Sequence, residues 1–168
     1  PVSGDVISFA SLDLDARGLL GIDNDADSVR LVAETVSISN TSGQTVAAAG
    51  ATGNGSSLTI ETASLQLGEG EFRLQGYQQV QADVSSVVTI AGEGDLVVEA
   101  DLAIDSPLIT ASSASDYLIA AEGGEMTVTG AQAGTTQTDV EILNAGLTLE
   151  ADALDFAEHF DGLAQAGF

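Results

Sequence analysis

Apolar side chains recur at every second residue of this chain in short bursts, and Gly, Asn, Asp and Ser separate the bursts. A period of two puts successive side chains on opposite faces of an extended backbone, so each burst predicts a β-strand with one buried face. The pairs are Leu12/Leu14, Val36/Ile38, Leu58/Ile60, Leu65/Leu67, Phe72/Leu74, Val88/Ile90, Leu96/Val98, Leu102/Ile104, Met126/Val128, Val140/Ile142 and Leu147/Leu149. With two or three inward side chains each, such strands are too short for a conventional sandwich. They suit the successive faces of a coil.

The bursts come in pairs, which is the clearest internal repeat. The segments starting at Val29, Leu58 and Leu147 share one frame: an apolar pair, a small Ala or Thr two residues on, and a second apolar pair beginning seven residues after the first. This predicts strand, corner, strand, with the small residue inside the bend. Looser copies start at Ile7 and Leu96 with a shorter corner. Successive copies lie 22 residues apart (Ile7 to Val29) and 29 apart (Val29 to Leu58). The intervals of 38 and 51 that follow leave room for coils near Val80 and Leu118. About seven irregular coils of roughly 20–29 residues follow. Their strands would stack into parallel sheets lined by Leu, Val and Ile, and the handedness of parallel crossovers makes the coil right-handed. The predicted fold is an all-β, right-handed parallel β-helix, a solenoid forming a single segment over residues 1–168.

Two stretches break the pattern. Ser39 to Ser57 and Thr129 to Asp139 are rich in small residues, almost without bulky apolar anchors, and predict loops that leave the coil. Near the C-terminus, Phe156, Phe160 and Leu163 fall at helical spacing, but a strand at Leu154/Phe156 agrees better with the repeat frame.

Composition changes the picture in three ways. Three arginines (Arg17, Arg30, Arg73) and no lysine stand against 26 Asp and Glu, a net charge of -23, which disfavours nucleic acid and anionic lipid as partners. A hydrophobic share of 44% argues for a folded chain over a disordered one. Without cysteine there are no disulfides, thiolate chemistry or cysteine-ligated zinc. No signal peptide or apolar run long enough to cross a membrane occurs, and Pro1-Val2-Ser3-Gly4-Asp5 reads as an internal cut in a longer chain.

Candidate chemistry is sparse. Asp23, Asp25 and Asp27, with Glu34 eleven residues after Asp23, imitate a calcium loop, but Ser28 stands where the sharp turn wants glycine, and an acidic turn would look the same. These three aspartates are the only metal candidates; no cofactor is implied. A β-helical polysaccharide enzyme would set Arg, Lys, His or aromatic side chains beside its carboxylates. Here the arginines are scattered, His159 has no evident partner, and Asp13/Asp15 and Asp101/Asp105 are acid pairs that an acidic strand produces by chance. Gly53-Asn54-Gly55 lacks the strand, lysine and helix of a phosphate loop. No catalytic residue is assigned. Tyr77, Tyr117 and the two small-residue loops are what a receptor- or glycan-binding module could use. Open β-edges at the ends of a coil stack predict end-to-end self-association.

Three segments resemble the shaft repeats of bacterial two-partner-secretion exoproteins, the filamentous haemagglutinin-like family. They are Leu65 to Tyr77 (LQLGEGEFRLQGY), Gly94 to Ser113 (GDLVVEADLAIDSPLITASS) and Asp116 to Val128 (DYLIAAEGGEMTV). Their succession is similar to the family's repeats, in which a Gly-Asp-Leu turn opens a strand, a small-residue corner follows, and a turn rich in Ala and Ser leads to the next strand. The resemblance runs from about Leu12 to Phe156. It implies a secreted or cell-surface bacterial fibre, exported through an outer-membrane partner and used in adhesion to a host surface or in aggregation. The Asn-Pro motif of the family's secretion domain is absent, so the resemblance implies an internal shaft segment.

Overall fold

The structure, a computed structural model, describes residues 8–21, 28–48, 56–130 and 145–156. These residues hold no helix and form eleven strands: β1 (Ser8–Asp15), β2 (Gly18–Leu20), β3 (Ser28–Ser39), β4 (Ser57–Leu67), β5 (Gly70–Gln75), β6 (Gln79–Ile90), β7 (Glu93–Val98), β8 (Asp101–Asp105), β9 (Ile109–Ala111), β10 (Asp116–Thr129) and β11 (Gly146–Phe156). Every pairing is parallel, and the strands make one sheet curled into a half-barrel.

Parallel neighbours arise because the chain returns to the same place at steps of 21 to 30 residues, save for the 55 between β2 and β5, visible in three runs of strands. The first run stacks Val29, Leu58, Val80, Leu102, Met126 and Leu154 in one inward column. A second run stacks Leu12, Val36, Leu65, Val88 and Ile109. The third stacks Leu19, Leu74, Val98, Ala121 and Ala151. Strand β10 belongs to two runs, its first half pairing with β7 and its last residues with β8, which curls the sheet back on itself.

Strands β3, β4 and β6 bend between the first and second runs at Ala33, Thr62 and Val84, which share one buried column. The small residue therefore lies inside the bend at Ala33 and Thr62, as its spacing predicts. Strand β6 accommodates the larger Val84 with a register shift at the following serines.

Val36, Ile38, Leu58, Leu67, Phe72, Val88, Ile90, Val98, Met126 and Val128 are almost wholly excluded from solvent, as their alternation predicts. Burying one such side chain contributes about 1.5–3 kcal/mol, more than a surface ion pair at about 0–1 kcal/mol. Apolar columns therefore hold the stack together. Leu12, Leu14, Leu147 and Leu149 pack against this core from its two ends. Val140/Ile142 lie outside the described residues. Strand β11 reaches Phe156, so the strand reading at Leu154/Phe156 holds; Phe160, Leu163 and His159 lie outside the described residues.

The repeat frame needs one correction. Val29 and Leu58 do stack, but Leu147 sits on Tyr117, and Leu96 sits between Phe72 and Ile119, all in the third run. The corner from third run to first has the same spacing as the corner from first run to second: Leu147 precedes Leu154 by seven residues, as Leu58 precedes Leu65. One sequence pattern therefore marks two different corners of the curled sheet.

After β3 the chain leaves the stack, and β2 pairs directly with β5. Asn40 seals the exit. It is buried, its backbone N–H donates to Glu69 O at 2.8 Å, and its side-chain amide donates to the carbonyls of Gln44 and Glu71, each at 2.7 Å. Its Oδ1 accepts from Ser42 Oγ at 2.6 Å. Asn40→Ala would strip two carbonyls of their donor and is expected to cost about 2 kcal/mol. In urea the unfolding midpoint should fall with an unchanged slope.

Candidate functional site

The outward face of the first run carries the most concentrated chemistry. Val32, Glu61, Asp83, Asp105 and Thr129 stand in one outward column on consecutive strands. Beside it runs a groove of about 710 Å³ lined by Val32, Ala33, Glu61, Thr62, Asp83, Val84, Ser85 and Asp105. Adjacent strands lie about 4.8 Å apart, so the three carboxylates are neighbours of like charge, which weakens the pairing they sit on.

Each carboxylate has a local partner. Glu61 accepts from Nε and Nη2 of Arg30, and that pairing holds the Glu61 carboxyl below its ordinary range. Asp83 accepts from Gln81 Nε2 at 2.7 Å, and Asp105 from Thr129 Oγ1 at 2.9 Å. The groove thus offers acceptor oxygens to a cation or a hydroxyl-rich ligand. Among the described residues no group of three or more His, Cys, Asp or Glu side chains is placed to hold a metal ion.

A second cluster surrounds Arg73 on β5. Its guanidinium reaches Glu71 (2.8 Å), Glu99 (3.0 Å) and Glu122 (2.9 Å), which come from three successive returns of the chain. Gln75 adds a 2.7 Å bond to Glu99. Next to it, Asp95 lies between Glu71 and Leu118 in the third run. Burial, then the charges of Glu71 and Asp116, push its carboxyl above the ordinary 3.8, against a smaller opposing effect of Arg73.

Asp95 therefore disfavours the folded state at neutral pH. With its folded pKa above the unfolded one, its contribution to stability is fully present below the unfolded value and is lost as pH rises through the folded value. Asp95→Asn is expected to raise the thermal midpoint at pH 7 and to shrink the gain on mild acidification. Comparing wild type and variant at each pH cancels the relief of overall self-repulsion, which both share.

Asp23, Asp25 and Asp27 lie outside the described residues; Glu34, their proposed fourth partner, is exposed on β3, and its carbonyl accepts from Thr62 Oγ1 at 3.1 Å. Of the acid pairs, Asp15 accepts from the Thr41 hydroxyl and amide, which hold it below its ordinary range, Asp101 accepts from the Glu125 amide at 3.0 Å, and Asp13 is exposed. Tyr77 and Tyr117 are 3% and 2% exposed, so neither offers the exposed aromatic platform that a binding module needs. Tyr117 is in phase with the inward Ile119 and Ala121 of β10, whereas Tyr77 is buried just past the end of β5, out of phase with Phe72 and Leu74. Tyr117 Oη is buried without a hydrogen-bond partner, and its phenol is pushed up first by burial and then by Asp95. Of the loops, residues 49–55 and 131–139 lie outside the described residues.

Neither cluster was legible as a site before the register was known. Arg73 and Glu122 are 49 residues apart, and Glu61, Asp83 and Asp105 align only through the 22-residue step of β4, β6 and β8. Among the described residues, no helix is long and apolar enough to cross a membrane. Fold and clusters together define an all-β protein of parallel strands with an acidic outer face. No family model, curated protein or solved structure matches the chain.

Proposed function

We propose that the chain is a right-handed parallel β-helix acting as a structural shaft segment of a secreted or cell-surface bacterial adhesin or fibre protein, without catalysis. The observation that carries this reading is the through-going columns: the same inward position recurs from Val29 to Leu154 at steps of 22 to 29 residues. Such a stack has no natural end, and each coil contacts only its neighbours. Asp15, Asp101 and Asp105 of its acid pairs make structural bonds, which suits a scaffold. The family likeness of Leu65 to Tyr77 and of Gly94 to Val128 gives the wider setting: a filamentous haemagglutinin-like exoprotein carried through an outer-membrane partner.

Pulled between its ends in a force spectrometer, a shaft should lengthen coil by coil. At about 3.4 Å per extended residue, each step should release roughly 75–100 Å of chain. One rip of the whole length would overturn the reading, as would release of reducing ends or unsaturated products from acidic polysaccharides.

The groove beside Glu61, Asp83 and Asp105 favours a second reading, a glycan-binding module of a surface protein. Binding on a glycan array that Asp83→Ala abolishes would establish it in place of a purely structural role.

A further inference from the structure

We propose that the third run, made by β5, β7 and the first half of β10, is a pH-sensitive panel of the curled sheet, closed in mildly acid solution and opening ahead of the other runs as pH rises. The proposal concerns the fold itself and does not depend on the shaft reading. Two borders set the panel apart. Strands β3, β4 and β6 pass from the first run into the second without interruption. Entry into the third run instead goes through a left-handed residue on three successive returns, at Gly70 (φ +84°), Gly92 (+114°) and Ala114 (+64°). On the exit side stand Gly76 (+77°), just past β5, and Gly123 (+73°), where β10 shifts register between Ala121 and Glu125. Apart from Gly43, no other described residue has a positive φ. Left-handed residues belong to turns and not to extended strands, so the panel can part at its borders while the first and second runs stay zipped. Local opening of such a unit costs less than unfolding the whole chain.

Charge makes the panel respond to pH. Two like-charge pairs stand in register on it: Glu71 opposite Asp95 between β5 and β7, and Glu93 opposite Asp116 between β7 and β10. Like charges directly opposite weaken a strand pair. Arg73 is the only cation on these three strands, and its hydrogen bonds go to Glu71, Glu99 and Glu122, none to Asp95. Around Asp95 stand Glu71 and Arg73 from β5, and Asp116 and the Tyr117 phenol from β10. Glu93 precedes it on β7, and Glu99 and Glu122 are tied to it only through Arg73. Residues 40–48, which reach Gln75 through the Ala47 carbonyl, carry no charge. With its carboxyl pushed up by burial and then by Glu71 and Asp116, Asp95 favours the closed panel below its unfolded value. That contribution is lost as pH rises through the raised value. Carboxyls of the other two runs shift the opposite way: Glu61 is held down by Arg30 and Asp15 by Thr41, so their strands keep that support at neutral pH.

Native-state hydrogen exchange from about pH 5 to about pH 8 tests this, read as protection factors that divide out the intrinsic pH dependence of exchange. Relative to β4 and β6, the amides of β7 and of the first half of β10 should lose protection about two- to fivefold over that range, the equivalent of one like-charge pair. Asp95→Asn should remove this differential. Asp83→Asn, which takes a carboxylate from the first run, should leave it in place. Both substitutions change charge at nearly constant shape, and thermal unfolding checks that each variant folds. Protection that changes in parallel in all runs, or that rises with pH in the third, overturns the panel. So does a differential that survives Asp95→Asn or disappears in Asp83→Asn.

Discussion

Arg73→Met is expected to destabilise the protein by about 3 kcal/mol, because it leaves partly buried carboxylates without their shared cation. Arg73 and Glu99 side chains are 13% and 11% exposed, so water screens their interaction poorly. Glu71 at 21% is little more open, whereas the Glu122 carboxylate at 48% is itself well hydrated and loses less when the cation is removed. The guanidinium is held protonated most strongly by its hydrogen bonds to Glu122, with Glu71 adding to the effect. In a chain of net charge -23 no spare cation stands ready to replace it. Arg73→Lys retains the charge but cannot fork to three carboxylates, so an intermediate loss is expected. Adding Glu99→Gln to Arg73→Met should recover part of the stability, a coupling that a double-mutant cycle in urea would read. Arg30→Met is the control: its pair with Glu61 is exposed and screened by water, so its loss should leave the urea midpoint nearly unchanged.

Gly70→Ala should cost about 3–5 kcal/mol from two sources, a left-handed backbone and a closed space. Gly70 has φ of +84°, and a Cβ there would stand 2.3 Å from Asn40 O. Neither atom can yield easily, since Asn40 is fixed by the bonds that close the exit from the stack. Gly43→Ala separates the two sources. Its φ is +64° with nothing within 4 Å of the added carbon, so only the backbone cost of about 1–2 kcal/mol applies. Equal losses at the two positions would show that the approach of Asn40 to Gly70 contributes nothing.

Much of the fold was legible in the chain because its core follows a period of two. Leu58/Ile60, Leu65/Leu67, Phe72/Leu74 and Val88/Ile90 read as inward pairs and are buried. What periodicity could not supply was the run to which a strand belongs. Leu147 and Leu58 open the same local pattern, yet one starts a third-run strand and the other a first-run strand, because corners of similar shape select similar residues. The place of Tyr117 is hidden in the sequence for a related reason. Tyrosine suits an exposed platform as well as an interior, and only the pairing with Gly94, which carries no side chain to compete for the space, gives its ring an inward place. The Arg73 cluster is assembled by register across neighbouring parallel strands, so no local motif could announce it.

Deleting residues 79–100 is the most direct test of the claim that the chain is a stack of interchangeable coils. Gln79 pairs with Asp101, a step of 22 residues, so joining Gln78 to Asp101 removes one full coil in register. Leu58 would then meet Leu102, Leu65 would meet Ile109, and Phe72 would meet Ile119, each pair now separated by one intervening strand. The account predicts a shortened protein that still unfolds cooperatively and keeps its strand signature in circular dichroism, while deleting only residues 79–89 abolishes folding. If the whole-coil deletion unfolds the chain as completely as the half-coil deletion, the stacked-coil account is wrong.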